Sequence, residues 1–281
     1  MNFEKPEPIK NESSEENREK IIEKEAIEDL NNLGLDWNDL ENKSILDIGA
    51  GAAVIAEAAK NKGIEITSLD INPEMWIEEG EKLPNVPYIK ASAEKLPFEN
   101  ETFDLIISHA GPFTNTESKE MLVRMLEDAK QALKDKGELR FGPGISANLF
   151  TSEELFTPEE EKSFTDEQRV KRIEQKSLEF LKNIDPNITR ESIEKPSHHD
   201  LPRKHFYVLK KISEEEKIKN NEKEIKKQAE EIIIETLDMD FEKKMENFHS
   251  KLEEAVKNLP KYQEIERKLK DVNKEEAPYE R

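Results

Sequence analysis

Short apolar runs alternate with helical patterns along the first two thirds of the chain. Residues 45–48 form a mostly apolar run of strand length, and Gly49 and Gly51 follow it at once. The alanine-rich segment 52–60 has the composition of a helix, and a second apolar strand ends at Asp70. This order of strand, glycine turn, helix and strand predicts parallel strands joined by a helix, the repeating unit of α/β folds.

The same alternation continues to residue 212. Five further strands are predicted at residues 86–89, 103–108, 137–143, 188–193 and 205–212. Helix starts are marked by Asn72 before Pro73, by Asn115 or Thr116, and by the capping boxes Thr157 with Glu160 and Thr165 with Gln168. The helix after Pro73 is expected to end near Leu83, and residues 144–156 are predicted to form a loop.

A helix near the N-terminus is predicted from a capping box and an apolar face. Ser13 and Glu16 have capping-box spacing, and Gly34 ends the pattern. The predicted apolar face consists of Ile21, Ile22, Ala26, Ile27, Leu30 and Leu33. The segment before this helix, residues 1–12, is rich in Pro, Glu and Lys and is predicted to be disordered.

The character of the sequence changes at Ser213, after which Lys, Glu and Asn dominate. Ser213 and Glu216 form another capping box. Apolar residues then recur at three- and four-residue steps at Ile234, Leu237, Phe241, Met245, Phe248, Leu252, Val256 and Leu259. Residues 213–281 are therefore predicted to be a helical, coiled-coil-like tail that packs on the domain, on a second copy or on a partner. The domain itself is predicted to span residues 13–212.

Composition limits the classes of function. The 281 residues include no cysteine, which excludes disulfides and thiolate metal sites. The net charge of −20 argues against non-specific binding to nucleic acid or to an anionic membrane, because both are polyanions. No stretch approaches the roughly twenty apolar residues of a membrane span, and the N-terminus lacks an apolar signal core. We expect a cytoplasmic protein.

The chemistry of the glycine turn favours a cationic ligand. A nicotinamide or flavin site requires Gly-x-Gly-x-x-Gly, and Val54 stands at the third glycine position. Asp47, just before the turn, repels a pyrophosphate and suits a cation. Asp70 lies about twenty residues past the glycines, where a carboxylate accepts hydrogen bonds from two ribose hydroxyls. A nicotinamide oxidoreductase is therefore disfavoured.

Two stretches carry a resemblance to a known family. The run Asp-Ile-Gly-Ala-Gly-Ala-Ala at residues 47–53 resembles the first motif of class I S-adenosylmethionine-dependent methyltransferases, whose cofactor carries an ammonium and a sulfonium. Ala-Ser-Ala-Glu-Lys-Leu-Pro-Phe at 91–98 and Phe-Asp-Leu at 103–105 are similar to a loop and strand of members that act on small molecules. Ala53 stands where the family often has Gly, and Ser92 where it has an acid. The resemblance covers roughly residues 15–212.

The resemblance implies a fold and a cofactor site. The fold is a Rossmann-like, doubly wound, seven-stranded sheet, mostly parallel, in which the last strand is antiparallel, here followed by a C-terminal helical extension. The implied cofactor is S-adenosyl-L-methionine, and the N-terminal helix is expected to cover its open side. Ser92 and Ala93 are assigned to adenine. The full set of candidate cofactor residues is Asp47, Gly49, Ala50, Gly51, Asp70, Ile71, Ser92, Ala93 and Ser108.

His109 is the candidate catalytic residue. It follows the fourth strand at the carboxyl end, where open α/β sheets bind ligands, and an imidazole can serve as a general base. The alternative is a loop histidine without a catalytic role. The adjacent His198, His199 and Asp200 are not assigned to a metal, because neighbouring histidines in a loop rarely converge on one ion.

The predicted activity is methyl transfer to a small-molecule or lipid-like acceptor. The segment Ser-His-Ala-Gly-Pro at 108–112 lacks the Asn-Pro-Pro-Tyr or Asp-Pro-Pro-Tyr motif, which disfavours amino methylation of nucleic-acid bases. The alternative is a non-catalytic binding or scaffold protein that keeps the nucleotide fold and recruits a partner through its helical tail. Self-association through the tail is also left open.

Overall fold

The computed structural model describes residues 12–76, 85–192, 205–236 and 241–257. The chain divides into two compact units, Met1–Ile212 and Ser213–Arg281. None of the described helices is long and apolar enough to cross a membrane.

The described strands of the first unit form one seven-stranded sheet. The strands are β1 (Ile45–Ile48), β2 (Ile66–Asp70), β3 (Tyr88–Lys90), β4 (Phe103–His109), β5 (Leu133–Gly142), β6 (Ile188–Ser192) and β7 (His205–Lys210). Their order in the sheet is β3-β2-β1-β4-β5-β7-β6. The pairs among β1 to β5 are parallel, whereas β7 runs antiparallel to both β5 and β6. The predicted fold class, a mostly parallel, doubly wound sheet of seven strands, is confirmed.

Helices connect these strands and form the second unit. The helices are α1 (Glu12–Asn32), α2 (Trp37–Leu40), α3 (Val54–Lys60), α4 (Pro112–Asn115), α5 (Lys119–Ala132), α6 (Ser152–Leu155), α7 (Pro158–Ser163), α8 (Asp166–Ile184), α9 (Glu214–Thr236) and α10 (Phe241–Lys257). Short 3₁₀ turns cover Pro73–Trp76 and Ala147–Leu149.

Two apolar layers cover the two faces of the sheet. Successive strand side chains point to opposite faces, so Ile45 packs in one layer and Leu46 in the other. The first layer contains Ala26 and Leu30 from α1 with the alanines of α3. The second contains residues of α5 and Leu181 from α8. Burial on both faces explains why the inner strands are almost continuously apolar.

The N-terminal helix differs from its prediction in two respects. It begins at Glu12, so the helix includes Ser13, the predicted capping residue. The predicted apolar face was too wide, because Ile21 and Ile27 are 57% and 40% exposed. A docked helix buries only one stripe, here Ala26 and Leu30, and Ile27 lies about 100° around the helix from Ala26.

The helix before β5 is capped by a different residue than predicted. Residues Pro112–Asn115 form the separate short helix α4, and Thr116 ends it. The hydroxyl of Ser118 then accepts a hydrogen bond from the backbone N–H of Met121 and caps α5. The predicted loop at 144–156 also contains a 3₁₀ turn and α6.

The two predicted capping boxes at Thr157 and Thr165 are present and start α7 and α8. Of the helix predicted after Pro73, the structure describes the 3₁₀ turn Pro73–Trp76, and the remainder lies outside the described residues.

The structure describes two helices in the second unit, α9 and α10, whereas the apolar positions from Ile234 to Leu259 follow a single helical repeat in the sequence. The hydroxyl of Ser213 accepts a hydrogen bond from the backbone N–H of Glu216 at 3.3 Å, as its capping box predicted. On α10, Leu252 and Val256 are each 40% exposed. The seam positions 237 and 259 lie outside the described residues.

Candidate functional site

The candidate site lies where the winding of the sheet reverses. From β1 the chain proceeds to β2 and β3 on one side and then returns to β4 on the other side of β1. Ligands of open α/β sheets bind in the crevice at the carboxyl ends of the strands beside such a point. Asp47 lies near the end of β1, Asp70 ends β2 and His109 ends β4. The sequence therefore placed three of its candidate residues at one edge of the sheet.

The turn after β1 is held against the end of β2. The backbone N–H groups of Gly49 and Ala50 both donate to the carbonyl of Leu69, at 2.7 and 3.1 Å. Gly49 and Gly51 have φ angles of +76° and +54°, in the left-handed region that favours glycine. Ala53 also has a positive φ, of 58°, at the N-cap of α3. The glycine pair is thus required by the backbone path of the turn.

The turn after β4 packs directly on the turn after β1. A Cβ on Gly49 would overlap Cδ of Pro112, and a Cβ on Gly111 would lie 2.7 Å from the carbonyl oxygen of Ile48. The hydroxyl of Ser108, which is fully buried, donates to that same carbonyl at 2.7 Å. The Ser108 side chain therefore links the end of β4 to the end of β1, and the assignment of Ser108 to the cofactor stays a prediction.

Asp70 has both oxygens partly engaged by the backbone. One carboxylate oxygen accepts from the N–H of Gly51 at 3.1 Å, and the other accepts from the N–H of Asn72 at 2.8 Å. Each oxygen keeps a further lone pair for a ligand hydroxyl. The next residue, Ile71, is 66% exposed and offers an apolar surface beside the carboxylate. The hydrogen bonds fix the carboxylate without saturating it.

Tyr88 supports the glycine turn from β3. Its hydroxyl donates to the carbonyl of Gly51 at 2.6 Å. Burial and the charges of Asp70 and Asp47 raise the pKa of the Tyr88 phenol, so it remains a protonated donor at any physiological pH.

Asp47 is a buried acid near the carboxyl end of β1. Its residue is 4% exposed, and no hydrogen bond within the described part of the chain involves its side chain. The pKa of the Asp47 carboxyl is raised from 3.8 to about 7, mainly by burial and also by the nearby charges of Asp29 and Asp70, against a lowering effect of His109. Such a group is expensive to ionise alone and is stabilised by a cation.

His109 is held by two residues of α1. Its Nδ1 lies 2.9 Å from a carboxylate oxygen of Asp29, and its Nε2 lies 3.2 Å from the amide nitrogen of Asn32. Neither α1 residue was identified from the sequence. Their spacing of three residues places them on one helix face, but only the docking of α1 brings that face to β4.

Ser92 and Ala93 lie in the loop after β3. The loop begins beside Asp70, because the N–H of Ala91 donates to the backbone carbonyl of Asp70 at 3.0 Å. The hydroxyl of Ser92 accepts from the N–H of Glu94 at 3.2 Å, and Ala93 is 8% exposed. Both residues are thus adjacent to the end of β2, and their assignment to adenine stays a prediction.

The part of the chain that the structure describes contains no group of three or more His, Cys, Asp or Glu residues that could hold a metal ion. The His198, His199 and Asp200 cluster lies outside the described residues.

Comparison with known proteins places this site within a matched segment. Residues 45–137 match the family described as "Methyltransferase domain". A demethylmenaquinone methyltransferase from Chlorobaculum tepidum is 32% identical over 92 residues, covering 32% of this chain and 34% of the relative. A phthiotriol/phenolphthiotriol dimycocerosates methyltransferase from Mycobacterium leprae is 30% identical over 112 residues, covering 36% and 38% of the two chains. The chain thus spans about a third of the length of the curated relatives it matches.

Among solved structures, one similar chain is a SAM-dependent methyltransferase from Thermotoga maritima described as a possible histamine N-methyltransferase. It has 17% identity and a TM-score of 0.40, and the match covers 72% of this chain and 96% of the other. The strands and turns that hold Asp47, Asp70 and His109 all fall inside the matched segment 45–137.

Proposed function

We propose that this protein is a class I S-adenosylmethionine-dependent methyltransferase that transfers a methyl group to a small-molecule or lipid-like acceptor, because residues 45–137 match the family described as "Methyltransferase domain". The single observation that carries the proposal is the buried carboxylate of Asp47, with its raised pKa, at the point where the sheet reverses. A cofactor with a positively charged amino-acid end supplies the charge that this carboxylate lacks.

The residues of the site fit the two ends of this cofactor. Asp47 would accept hydrogen bonds from its ammonium, and Asp70 would accept from the ribose hydroxyls with the lone pairs that Gly51 and Asn72 leave free. The exposed side chain of Ile71 would pack on the adenine ring. Ser92 and Ala93, which follow β3 beside Asp70, would border the same ring.

The chemistry of the reaction asks little of the protein. The bound sulfonium supplies an activated methyl group, so the protein aligns an acceptor atom and excludes water. His109 would take the proton of an acceptor hydroxyl or amine, because it lies at the carboxyl end of β4 beside the candidate site. Asp47 and Asp70 carry no proton-transfer role in this proposal.

The acceptor class is supported by the relatives and by charge. The two relatives named above carry the names of methyltransferases for demethylmenaquinone and for phthiotriol/phenolphthiotriol dimycocerosates. The net charge of −20 disfavours a polyanionic acceptor such as nucleic acid. We propose that the second unit acts in self-association or partner binding, outside methyl transfer itself.

Calorimetric titration tests the cofactor. S-adenosylmethionine and S-adenosylhomocysteine should both bind, and NAD should not, because its pyrophosphate would face the carboxylate of Asp47. Binding of NAD in preference to S-adenosylmethionine would overturn the proposal.

A second assay separates an enzyme from a binding protein that keeps the fold. Purified protein with S-adenosylmethionine is offered a panel of hydroquinones, phenols and amines, and release of S-adenosylhomocysteine is measured. Release that depends on one acceptor supports catalysis. Tight cofactor binding with no release for any acceptor in the panel would favour the scaffold alternative.

A further inference from the structure

Both ring nitrogens of His109 are occupied by side chains of α1. Nδ1 faces a carboxylate oxygen of Asp29 at 2.9 Å, and Nε2 faces the amide nitrogen of Asn32 at 3.2 Å. The imidazole side chain is 17% exposed, that of Asp29 is 30% exposed, and Asn32 is buried. The three residues form an arrangement that we call the His109 clamp.

The two contacts of the clamp agree on one tautomer. A carboxylate oxygen only accepts a hydrogen bond, so Asp29 requires a proton on Nδ1. An amide nitrogen only donates, so Asn32 requires a lone pair on Nε2. The neutral imidazole with Nδ1–H satisfies both. A proton on Nε2 would face the N–H group of Asn32, and the amide would have to turn to present its oxygen.

This tautomer is the one that a general base at Nε2 needs. The hydrogen bond from Nδ1–H to the carboxylate of Asp29 is also kept in the imidazolium that forms once Nε2 has accepted a proton. The carboxylate of Asp47 on β1 also interacts electrostatically with the ring. The amide N–H of Asn32 is directed at the lone pair of Nε2. The hydroxyl or amine of a methyl acceptor would have to take this same position to give its proton to Nε2.

We propose that Asp29 and Asn32 are positioning residues for His109: Asp29 fixes the tautomer, and Asn32 occupies Nε2 until an acceptor displaces it. This inference rests on the proposed methyl transfer. In the step itself, Nε2 takes the proton of the acceptor O–H or N–H as the acceptor atom bonds to the methyl carbon. The carbon–sulfur bond breaks, its electron pair stays on sulfur, and the products are the methylated acceptor, S-adenosylhomocysteine and an imidazolium.

The tautomer is tested without any acceptor. In ¹⁵N-histidine-labelled full-length protein, the nitrogen shifts of His109 at a pH where the ring is neutral should show Nδ1 protonated and Nε2 unprotonated. In Asp29→Asn the amide also donates, so the two tautomers should mix. The control Glu25→Gln removes the same charge from an exposed position of α1 and should leave the shifts unchanged. A wild-type ring protonated on Nε2 alone would overturn the proposal.

The occupation of Nε2 is tested by chemical modification. Diethyl pyrocarbonate acylates an unprotonated imidazole nitrogen, and mass spectrometry of the His109 peptide measures the rate. Asn32→Ala should speed modification by about fivefold or more, the factor that one hydrogen bond of about 1 kcal/mol corresponds to. The control Asn31→Ala, on the neighbouring residue of the same helix, should leave the rate unchanged. Equal rates in wild type and Asn32→Ala would sink the role of Asn32.

A second variant guards against misfolding. If Asn32→Ala does not fold, Asn32→Ser keeps a polar side chain that is too short to reach the ring, and the same acceleration is expected.

Turnover adds a separate test once an acceptor is known. At about pH 8.5, where Asp47 is ionised in both proteins, Asp29→Asn should lower kcat while the cofactor Kd stays that of wild type. Failure of cofactor binding in wild type would instead refute the proposed function.

Discussion

Gly49 and Pro112 occupy adjoining space at the reversal point of the sheet. A Cβ on Gly49 would overlap Cδ of Pro112 and lie 3.0 Å from Cα of Gly111. The two residues come from the turns after β1 and β4, which are the strands that flank the candidate crevice. The missing side chain of Gly49 therefore lets the turn after β1 pack against the turn after β4.

This relationship predicts that Gly49→Ala is more damaging than a left-handed backbone alone explains. Gly63 has nearly the same φ, +74° against +76°, and no atom lies within 4 Å of its Cβ position. Gly63→Ala should cost only the backbone strain, about 1–2 kcal/mol. Gly49→Ala should cost that amount plus the overlap with Pro112. Chemical denaturation of both variants gives the comparison, and equal losses of stability would contradict it.

Asp70→Ala should weaken the binding of S-adenosylmethionine. Removing a carboxylate that accepts hydrogen bonds from ribose hydroxyls costs about 1.5–3 kcal/mol, or roughly 10- to 150-fold in Kd. Asp70 also accepts hydrogen bonds from the N–H groups of Gly51 and Asn72. The thermal stability of the variant should therefore be measured alongside its affinity. Asp70→Asn, which keeps one oxygen that accepts hydrogen bonds, should lose less affinity for S-adenosylmethionine. Unchanged affinity in a folded Asp70→Ala variant would refute the assignment.

Asp47 should make cofactor binding depend on pH. Its carboxyl has a pKa of about 7 because it is buried beside Asp29 and Asp70, and a cationic ligand binds the ionised form. Affinity should therefore rise roughly tenfold between pH 6 and pH 7.5, with a proton released on binding. Asp47→Asn should bind weakly with a flat pH profile. Calorimetry in buffers of different ionisation enthalpy measures the released proton, and a wild-type profile without slope would contradict the prediction.

The same group should make the ligand-free protein less stable at higher pH. The pKa of Asp47 is raised from 3.8 in the unfolded chain to about 7 in the folded one. The folded state therefore binds the extra proton between these values, and this contribution to stability is lost as the pH rises through about 7. Asp47→Asn should gain on the order of 3 kcal/mol over wild type between pH 4.5 and pH 8. A stability difference that stays constant over this range would argue against the raised pKa.

His109→Ala should lower turnover by at least about a hundredfold, since a general base contributes 10²- to 10⁴-fold. Cofactor affinity should change little, because the lost step is the proton transfer. Steady-state kinetics with an identified acceptor and a cofactor titration measure both quantities. A loss of only a few-fold would return His109 to a purely structural role as the anchor of α1 through Asp29 and Asn32.

A chain ending at Ile212 should bind the cofactor as the full chain does. The residues Asp47, Asp70 and His109 all belong to the first compact unit, Met1–Ile212. Light scattering of both chains shows in addition whether the second unit drives self-association. Failure of the shortened chain to fold, under conditions where the full chain folds, would show that the second unit belongs to the core.

The class of fold and the chemistry of the glycine turn follow from local sequence. Apolar runs, capping boxes and the glycine pair determine backbone geometry over a few residues, and so the strands and the turn with Asp47 and Asp70 were predicted from the sequence alone. Local patterns are less informative where several capping residues compete. Helix α5 is capped by Ser118 and not by Asn115 or Thr116, because Pro112 begins the separate short helix α4, which includes Asn115 and ends at Thr116.

Only the tertiary structure decided the role of residues far apart in the chain. The hydroxyl of Ser108 donates to the carbonyl of Ile48, sixty residues away, and no local pattern indicated this contact. Asp29 and Asn32 had no signal of function, because contact with His109 arises from how α1 docks on the sheet. Local sequence determines which elements form, whereas the burial of their apolar faces determines which polar side chains those elements bring together.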